Sequence, residues 1–140
     1  MTQMLLNTKN PMTTRILLFL NRHNFHFLRR CWGIFLGCDV SSNLPETCIM
    51  PHPYGIIVHS TAVLGKNVVI MQQVTIGARK LDNLSPVIGD EVFIGAGAKV
   101  LGGIHVGSES IIGANAVITK DVPAGSTVVG HNQIIQPHET

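Results

Sequence analysis

The amino-acid sequence predicts an all-β solenoid preceded by a short helical segment, and three observations support this prediction. A six-residue period runs from residue 58 to residue 118, glycines recur at fixed places within it, and 45% of the 140 residues are hydrophobic while only 5% are aromatic. Val, Ile and Ala must therefore do most of the packing, which suits short strands joined by tight corners. A chain of this length has room for one core but not for two ordinary domains.

The six-residue period is visible in the aliphatic residues. Positions six apart hold Val, Leu or Ile with one exception: Val58, Leu64, Ile70, Ile76, Asp82, Ile88, Ile94, Val100, Val106, Ile112 and Ile118. Neither a helix nor simple strand alternation has this period, whereas the stacked coils of a solenoid do. Three hexads would form one triangular coil, and the stacked coils would share a continuous core.

Two further features of the repeat concern its corners. A glycine follows six of the aliphatic residues, where a side chain would crowd the turn: Gly65, Gly77, Gly89, Gly95, Gly107 and Gly113. The repeat fails near residue 82, which predicts a polar loop at about 78–86 between two runs of coil.

This pattern divides the chain into four segments. We expect residues 1–12 to be disordered, 13–37 to be an amphipathic helical segment, 38–130 to be the solenoid and 131–140 to be a C-terminal tail. In the helical segment, arginines are interleaved with apolar residues, as in one or two amphipathic helices. Two interpretations remain open: a cap that covers the end of the solenoid or packs between subunits, and a basic surface that makes peripheral contact with a membrane.

Charge and cysteine content exclude several classes of function. The net charge of +2 is too small and too evenly spread to propose nucleic acid as a partner. Cys31, Cys38 and Cys48 lack the C-x2-C spacing of a zinc or redox site, so we interpret them as reduced, buried or inert thiols. A cytoplasmic protein without a required metal is the expectation.

Several motifs occur in order along the solenoid. They are PHPYGIIV at 51–58, IMQQVTIG at 70–77, IGAGAK at 94–99, IGANA at 112–116 and TKDVP at 119–123. These motifs resemble those of the hexapeptide-repeat acyltransferases, and more narrowly those of serine acetyltransferases and the related sugar O-acetyltransferases of bacterial polysaccharide loci. The resemblance covers about residues 37–130. It implies a left-handed parallel β-helix, a homotrimer, acetyl-CoA as the donor, and active sites between neighbouring subunits.

The resemblance assigns catalysis to His52, in the context Pro51-His52-Pro53. Acetyl transfer to an alcohol needs a base for the hydroxyl proton, and a histidine titrates near neutral pH; a packed, structural histidine is the alternative. An Asp on the preceding coil of serine acetyltransferases orients the catalytic histidine, and Asp39 matches it. Asp39 lies 13 residues before His52, about two fewer than in the family. A turn-capping aspartate is the alternative interpretation of Asp39.

The resemblance also places the cofactor. It implies backbone contacts at Ala96 and Ala114, with Thr119 and Lys120 near the pantetheine or nucleotide end. Gly77 and the neighbouring Ala78 are the predicted site of the backbone N–H that stabilises the oxyanion. Two further cations, Lys99 and Arg79, would either meet a phosphate or face solvent. His59 and His105 fall at variable hexad positions that point outward, as surface or cleft-lining residues.

Two departures from serine acetyltransferases bear on the acceptor. Their Asp before the catalytic histidine is replaced by Pro51, and their Arg-His-Pro reads Leu84-Ser85-Pro86 here. Because both changes remove groups that would hold an amino acid, the predicted acceptor is a sugar hydroxyl in a cell-surface polysaccharide pathway, with L-serine as the alternative. A zinc enzyme resembling γ-carbonic anhydrases and a non-catalytic solenoid are weaker alternatives. His52, His59 and His105 lack the spacing of a zinc site.

Overall fold

The structure, a computed structural model, describes residues 10–23, 25–41, 44–79 and 84–135. Within these residues, two helices, α1 (Met12–Arg22) and α2 (His26–Leu36), precede thirteen short strands. The strands are β1 (Asp39–Val40), β2 (Ile57–Val58), β3 (Val63–Leu64), β4 (Val69–Ile70), β5 (Thr75–Gly77), β6 (Val87–Ile88), β7 (Phe93–Ile94), β8 (Lys99–Leu101), β9 (His105–Val106), β10 (Ile111–Ile112), β11 (Val117–Ile118), β12 (Thr127–Val129) and β13 (Gln133–Ile135).

The strands form the three faces of a triangular solenoid. Sheet A has the order β1-β2-β5-β8-β11, sheet B has β13-β12-β10-β7-β4, and sheet C has β3-β6-β9. Neighbouring strands are parallel except β12 and β13. Ile57 lies beside Thr75, 18 residues later, so one coil comprises three hexads as predicted. The next coil advances 24 residues, from Thr75 to Lys99, because the predicted loop adds one hexad.

The core consists of the aliphatic series found in the sequence. Every member of that series from Val58 to Ile118 is buried, apart from Asp82, which lies outside the described residues. Ile94 lies between Ile70 and Ile112 in sheet B, and all three side chains are inaccessible to solvent. Each fully buried side chain of this size stabilises the fold by about 1.5–3 kcal/mol.

The predicted crowding at the corner glycines holds at Gly95 but not at Gly77. A Cβ atom at Gly95 would lie 2.6 Å from the Ala114 nitrogen on the next coil. At Gly77 the nearest atom would be a methyl carbon of Leu101, 3.4 Å away. The difference arises because the chain leaves the regular coil directly after Gly77 and enters the loop.

The two helices cover the first coil, which agrees with the cap interpretation. Leu17 of α1 and Leu36 of α2 are buried and belong to the same hydrophobic cluster as the solenoid core. The hydroxyl group of Thr14, also buried, donates a 2.6 Å hydrogen bond to the Met50 carbonyl. Among the described residues, neither helix is long and apolar enough to cross a bilayer.

Described contacts are present before the predicted helical segment and after the predicted solenoid. Asn10 falls within the segment 1–12 that was predicted to be disordered, and its amide group bonds to the Cys48 carbonyl and the Met50 N–H at 2.8 and 2.9 Å. Residues 1–9 lie outside the described residues. The predicted tail begins with an antiparallel strand, β13, which pairs with β12 after a turn with positive φ at Gly130 and Asn132. Residues 80–83 and 136–140 also lie outside the described part.

Candidate active site

His52 lies on a corner that the surrounding structure holds from several sides. The corner, residues 51–55, leads into β2 and ends at Gly55, which has a φ of 64° that glycine tolerates best. The Tyr54 N–H donates a 2.8 Å hydrogen bond to the His52 carbonyl, and Pro53 is buried. His52 itself is exposed, and no described residue forms a hydrogen bond with its ring. This arrangement presents the imidazole to a ligand.

Cys38 supports this corner from the interior. Its thiol donates to the Pro53 carbonyl at 3.1 Å, and its sulfur accepts the Ile56 N–H at 3.3 Å. Burial raises the pKa of Cys38, so the group stays a neutral thiol that can donate. The sequence interpretation, a reduced and inert thiol, missed this positioning contact because no motif links residue 38 to residue 53.

Asp39 begins β1 and does not contact His52 within the single chain. Its carboxylate accepts a 2.8 Å hydrogen bond from the Ser41 hydroxyl, and both side chains are exposed. Asp39 lines a groove of about 650 Å³ together with Arg30 and Ile34 of α2, whereas His52 is not among the lining residues. The pairing of Asp39 with His52 therefore stays a prediction.

The predicted cofactor residues Ala96 and Ala114 follow Gly95 and Gly113 at the corners between sheets B and A. They stack on neighbouring coils, since the Asn115 N–H bonds to the Ala96 carbonyl at 2.8 Å. Ala114 is exposed and Ala96 is half-buried. Among the described residues, neither backbone N–H has a hydrogen-bond partner. Two unpaired donors in one column can bind a carbonyl-bearing chain.

The corners between sheets C and B provide a comparison. At the equivalent positions, the Lys66 N–H bonds to an Asp90 carboxylate oxygen at 2.7 Å, and the Asp90 N–H bonds to the Ser108 hydroxyl at 3.1 Å. Those corners satisfy their own backbone donors through a polar side chain on the next coil. On the next coil Ala114 lies beside Ala96 and Gly130 lies beside Ala114, and neither residue has such a group, so the donors at Ala96 and Ala114 remain available.

The other predicted cofactor residues are more varied. Thr119 is engaged within the protein, because its N–H donates to the Asn132 side chain at 2.7 Å and its hydroxyl accepts from the same amide at 2.9 Å. Lys120 is exposed, and Ala78 is half-buried at the start of the loop. The Lys99 ammonium donates to the Gln73 carbonyl at 2.7 Å, and its contact with a phosphate stays a prediction.

His59, which the sequence indicated only as a surface or cleft-lining residue, contacts two hydroxyl groups. Its ring nitrogen Nδ1 lies 2.9 Å from the Ser85 hydroxyl and 3.0 Å from the Thr61 hydroxyl. The pairing depends on the return of the loop to the solenoid, which residue spacing does not reveal. Among the described residues, no group of three His, Cys, Asp or Glu side chains could hold a metal ion.

Comparisons with known proteins agree with this architecture. Residues 85–120 match the family of bacterial transferase hexapeptide repeats. The serine acetyltransferase of Bacillus subtilis is 36% identical over 124 residues, covering 83% of this chain and 57% of that protein. The serine acetyltransferase of Mycobacterium tuberculosis is 47% identical over 101 residues, covering 69% and 44%.

A solved structure supports the same conclusion. The serine acetyltransferase of Neisseria gonorrhoeae in complex with serine has a TM-score of 0.74 and 34% identity, covering 89% of this chain and 54% of that one. The chain thus spans about half the length of these relatives. The predicted resemblance is confirmed: the solenoid is a left-handed β-helix, residues 85–120 match the hexapeptide-repeat family, and the chain is similar to serine acetyltransferases.

Proposed function

We propose that this chain is an acetyl-CoA-dependent O-acetyltransferase that acts on L-serine, with His52 as the general base. The observation on which the proposal depends is the His52 corner, which presents an exposed imidazole on a braced backbone. A hydroxyl group is a poor nucleophile at neutral pH, and an imidazole is the side chain best suited to remove its proton there. The similarity to serine acetyltransferases supports the choice of acceptor.

The proposed reaction is a direct transfer. His52 takes the proton of the acceptor hydroxyl while the oxygen attacks the thioester carbonyl. The carbon–sulfur bond then breaks, and the leaving thiolate receives the proton from the imidazolium. Backbone N–H groups near Gly77 would stabilise the oxyanion, and those of Ala96 and Ala114 would bind the pantetheine arm of acetyl-CoA.

We also propose that the active unit is a homotrimer with sites between subunits. Apolar side chains on the outer faces of the solenoid support this assembly. Ile57 of sheet A is 45% exposed, and Val63 and Val87, adjacent in sheet C, are 56% and 37% exposed. Such side chains on a flat parallel sheet favour packing against another protein surface. The neighbour would complete a site that the single chain leaves open around His52.

A sugar hydroxyl remains the second candidate acceptor because of two positions near the predicted site. Pro51 cannot pair with an ammonium group, and Leu84 is 58% exposed where the relatives' motif would place a charged side chain. A site without charged partners binds a neutral polyhydroxyl molecule more readily than a zwitterion.

The test is an acceptor screen with the purified chain and acetyl-CoA, measured as release of free CoA thiol. We expect L-serine to react and His52→Ala to lower the rate by about 10²–10⁴-fold. His105→Ala is the matched control, because His105 is also an exposed histidine of the solenoid. Reaction of a nucleotide sugar alone would replace serine as the acceptor. Full activity of His52→Ala, or no thiol release with any acceptor, would refute the proposed mechanism.

A further inference from the structure

A polar network joins the end of β2 to the point where the loop returns to the solenoid. The Thr61 hydroxyl donates to the Ser85 hydroxyl at 2.8 Å, and Ser85 lies 2.9 Å from Nδ1 of His59. His59 and Ser85 are half-buried, and Thr61 is exposed. The proposed mechanism uses none of these three side chains.

The contacts of the network favour one tautomer of the imidazole. The backbone N–H of Thr61 lies 3.4 Å from Nδ1 of His59, and a backbone N–H can only donate. An unprotonated Nδ1 can accept from this N–H and from the Ser85 hydroxyl, whereas the roles in the shorter contacts depend on the tautomer. In this tautomer the ring carries its proton on Nε2, which has no hydrogen-bond partner among the described residues.

The backbone of His59 lies next to the predicted thioester site. The backbone N–H of His59 donates to the Ile76 carbonyl at 2.8 Å, which continues the pairing of β2 with β5. In that register His59 is the neighbour of Gly77, the residue at which the loop begins. The other two side chains of the network are hydroxyl groups, so no carboxylate or ammonium group takes part in it.

We propose that His59 is an acceptor-binding residue, which donates its Nε2–H to an oxygen atom of the acceptor substrate. This inference rests on the proposed acetyltransferase function and adds the side chain that contacts the acceptor beside Gly77. Thr61 and Ser85 are positioning residues that keep the donor in its tautomer and orientation. The oxygen is a carboxylate oxygen if the acceptor is L-serine and a hydroxyl oxygen if it is a sugar.

The first experiment uses the full chain without acetyl-CoA. A nitrogen-detected NMR spectrum of the imidazole rings should show His59 as the Nε2–H tautomer, and titration with L-serine or methyl glucoside should shift its Nε2 resonance. The probe that produces the shift identifies the class of acceptor. A His59 ring protonated at Nδ1, or one that responds to neither probe, would overturn the proposal.

The second experiment separates binding from loop support. In His59→Asn, the amide oxygen can still accept at the position of Nδ1, but the Nε2–H is lost. We expect the acceptor Kd to rise about 10- to 100-fold if the bonded oxygen is the carboxylate of L-serine and about two- to tenfold if it is a hydroxyl, while the KM for acetyl-CoA stays unchanged. His59→Gln, which places an amide N–H near the position of Nε2, should recover part of the affinity. His105→Asn is the control.

These outcomes distinguish the inference from the proposed function. Normal acceptor affinity in His59→Asn, with a loss only in Ser85→Ala, would show that His59 merely supports the loop and would overturn the inference alone. Acceptor binding at His59 without CoA release by any form of the chain would refute the acetyltransferase and leave the binding site intact. His52→Ala should abolish turnover and preserve the NMR response of His59.

Discussion

Replacing Gly95 with alanine should destabilise the solenoid, whereas the same change at Gly77 should not. A Cβ atom at Gly95 would lie 2.6 Å from the Ala114 nitrogen and 2.9 Å from the Ile112 carbonyl oxygen. Both are backbone atoms of the next coil and cannot move alone, so we expect the roughly 1–3 kcal/mol cost of overpacking. At Gly77 the closest atoms are side-chain methyl carbons at 3.4 and 3.7 Å. There, reduced entropy of the unfolded chain should add about 0.4–1 kcal/mol of stability.

Urea unfolding followed by circular dichroism measures the difference. Both glycines have backbones outside the left-handed region, so steric space and not φ separates the two variants. With a urea dependence of about 2 kcal/mol per molar, the midpoint of Gly95→Ala should fall by roughly 0.5–1.5 M, and that of Gly77→Ala should stay or rise. The protein concentration is held constant because assembly also stabilises the fold. Equal midpoints for the two variants would refute the view that coil-to-coil contact selects glycine at these corners.

Three further predictions concern side chains beneath the site. Thr14→Val should lower the free energy of unfolding by about 1–3 kcal/mol, because the Met50 carbonyl loses its buried donor, whereas Thr14→Ser should not. Burial raises the pKa of Cys48 from 9.0 to about 12, so the thiol loses its proton in the unfolded chain at a lower pH than in the folded protein. The free energy of unfolding that wild type gains over Cys48→Ala should therefore be constant below pH 9 and be lost as the pH rises from 9 through about 12. Cys38→Ala should lower kcat several-fold by freeing the Pro53 carbonyl, and Cys38→Ser, which keeps a donor, should restore most of it. Thermal unfolding of Thr14→Val at the wild-type temperature would contradict the first prediction. A stability difference for Cys48→Ala that does not change between pH 9 and about 12 would contradict the second, and a wild-type kcat for Cys38→Ala would contradict the third.

The repeat was readable from the sequence because the core of a solenoid depends on the spacing of single residues. Every coil places the same hexad position inside, so Ile70, Ile94 and Ile112 are recognisable without knowledge of their partners. The ends of the solenoid were not readable in this way. Asn10 bonds to one carbonyl group and one N–H of residues 48–50, and β13 pairs with β12 alone. These contacts follow no period, so they lie outside the predicted boundaries at 12 and 130.

The candidate site was only partly predictable for the same reason. His52 stands in a motif, and its exposed position agrees with the prediction. The contacts of Cys38 with Pro53 and of His59 with Ser85 join residues 15 and 26 positions apart, respectively. Such contacts depend on how the first coil and the loop close, which the six-residue spacing does not determine. The motif thus singled out His52 as the candidate base, whereas the contacts that support its corner have no counterpart in the sequence pattern.

The corners show how one repeat can serve both stability and binding. After Gly89, the residue Asp90 sends its carboxylate to a backbone N–H of the coil before it, which satisfies a donor that would otherwise need water. After Gly95, the corresponding Ala96 leaves the donor open. By analogy, an aspartate in place of Ala96 would accept a hydrogen bond from the Gln72 N–H. It would also add a negative charge in the proposed path of the pantetheine arm. We therefore expect Ala96→Asp to weaken binding of acetyl-CoA, and the residue type after each corner glycine to predict which edge of the solenoid binds a ligand.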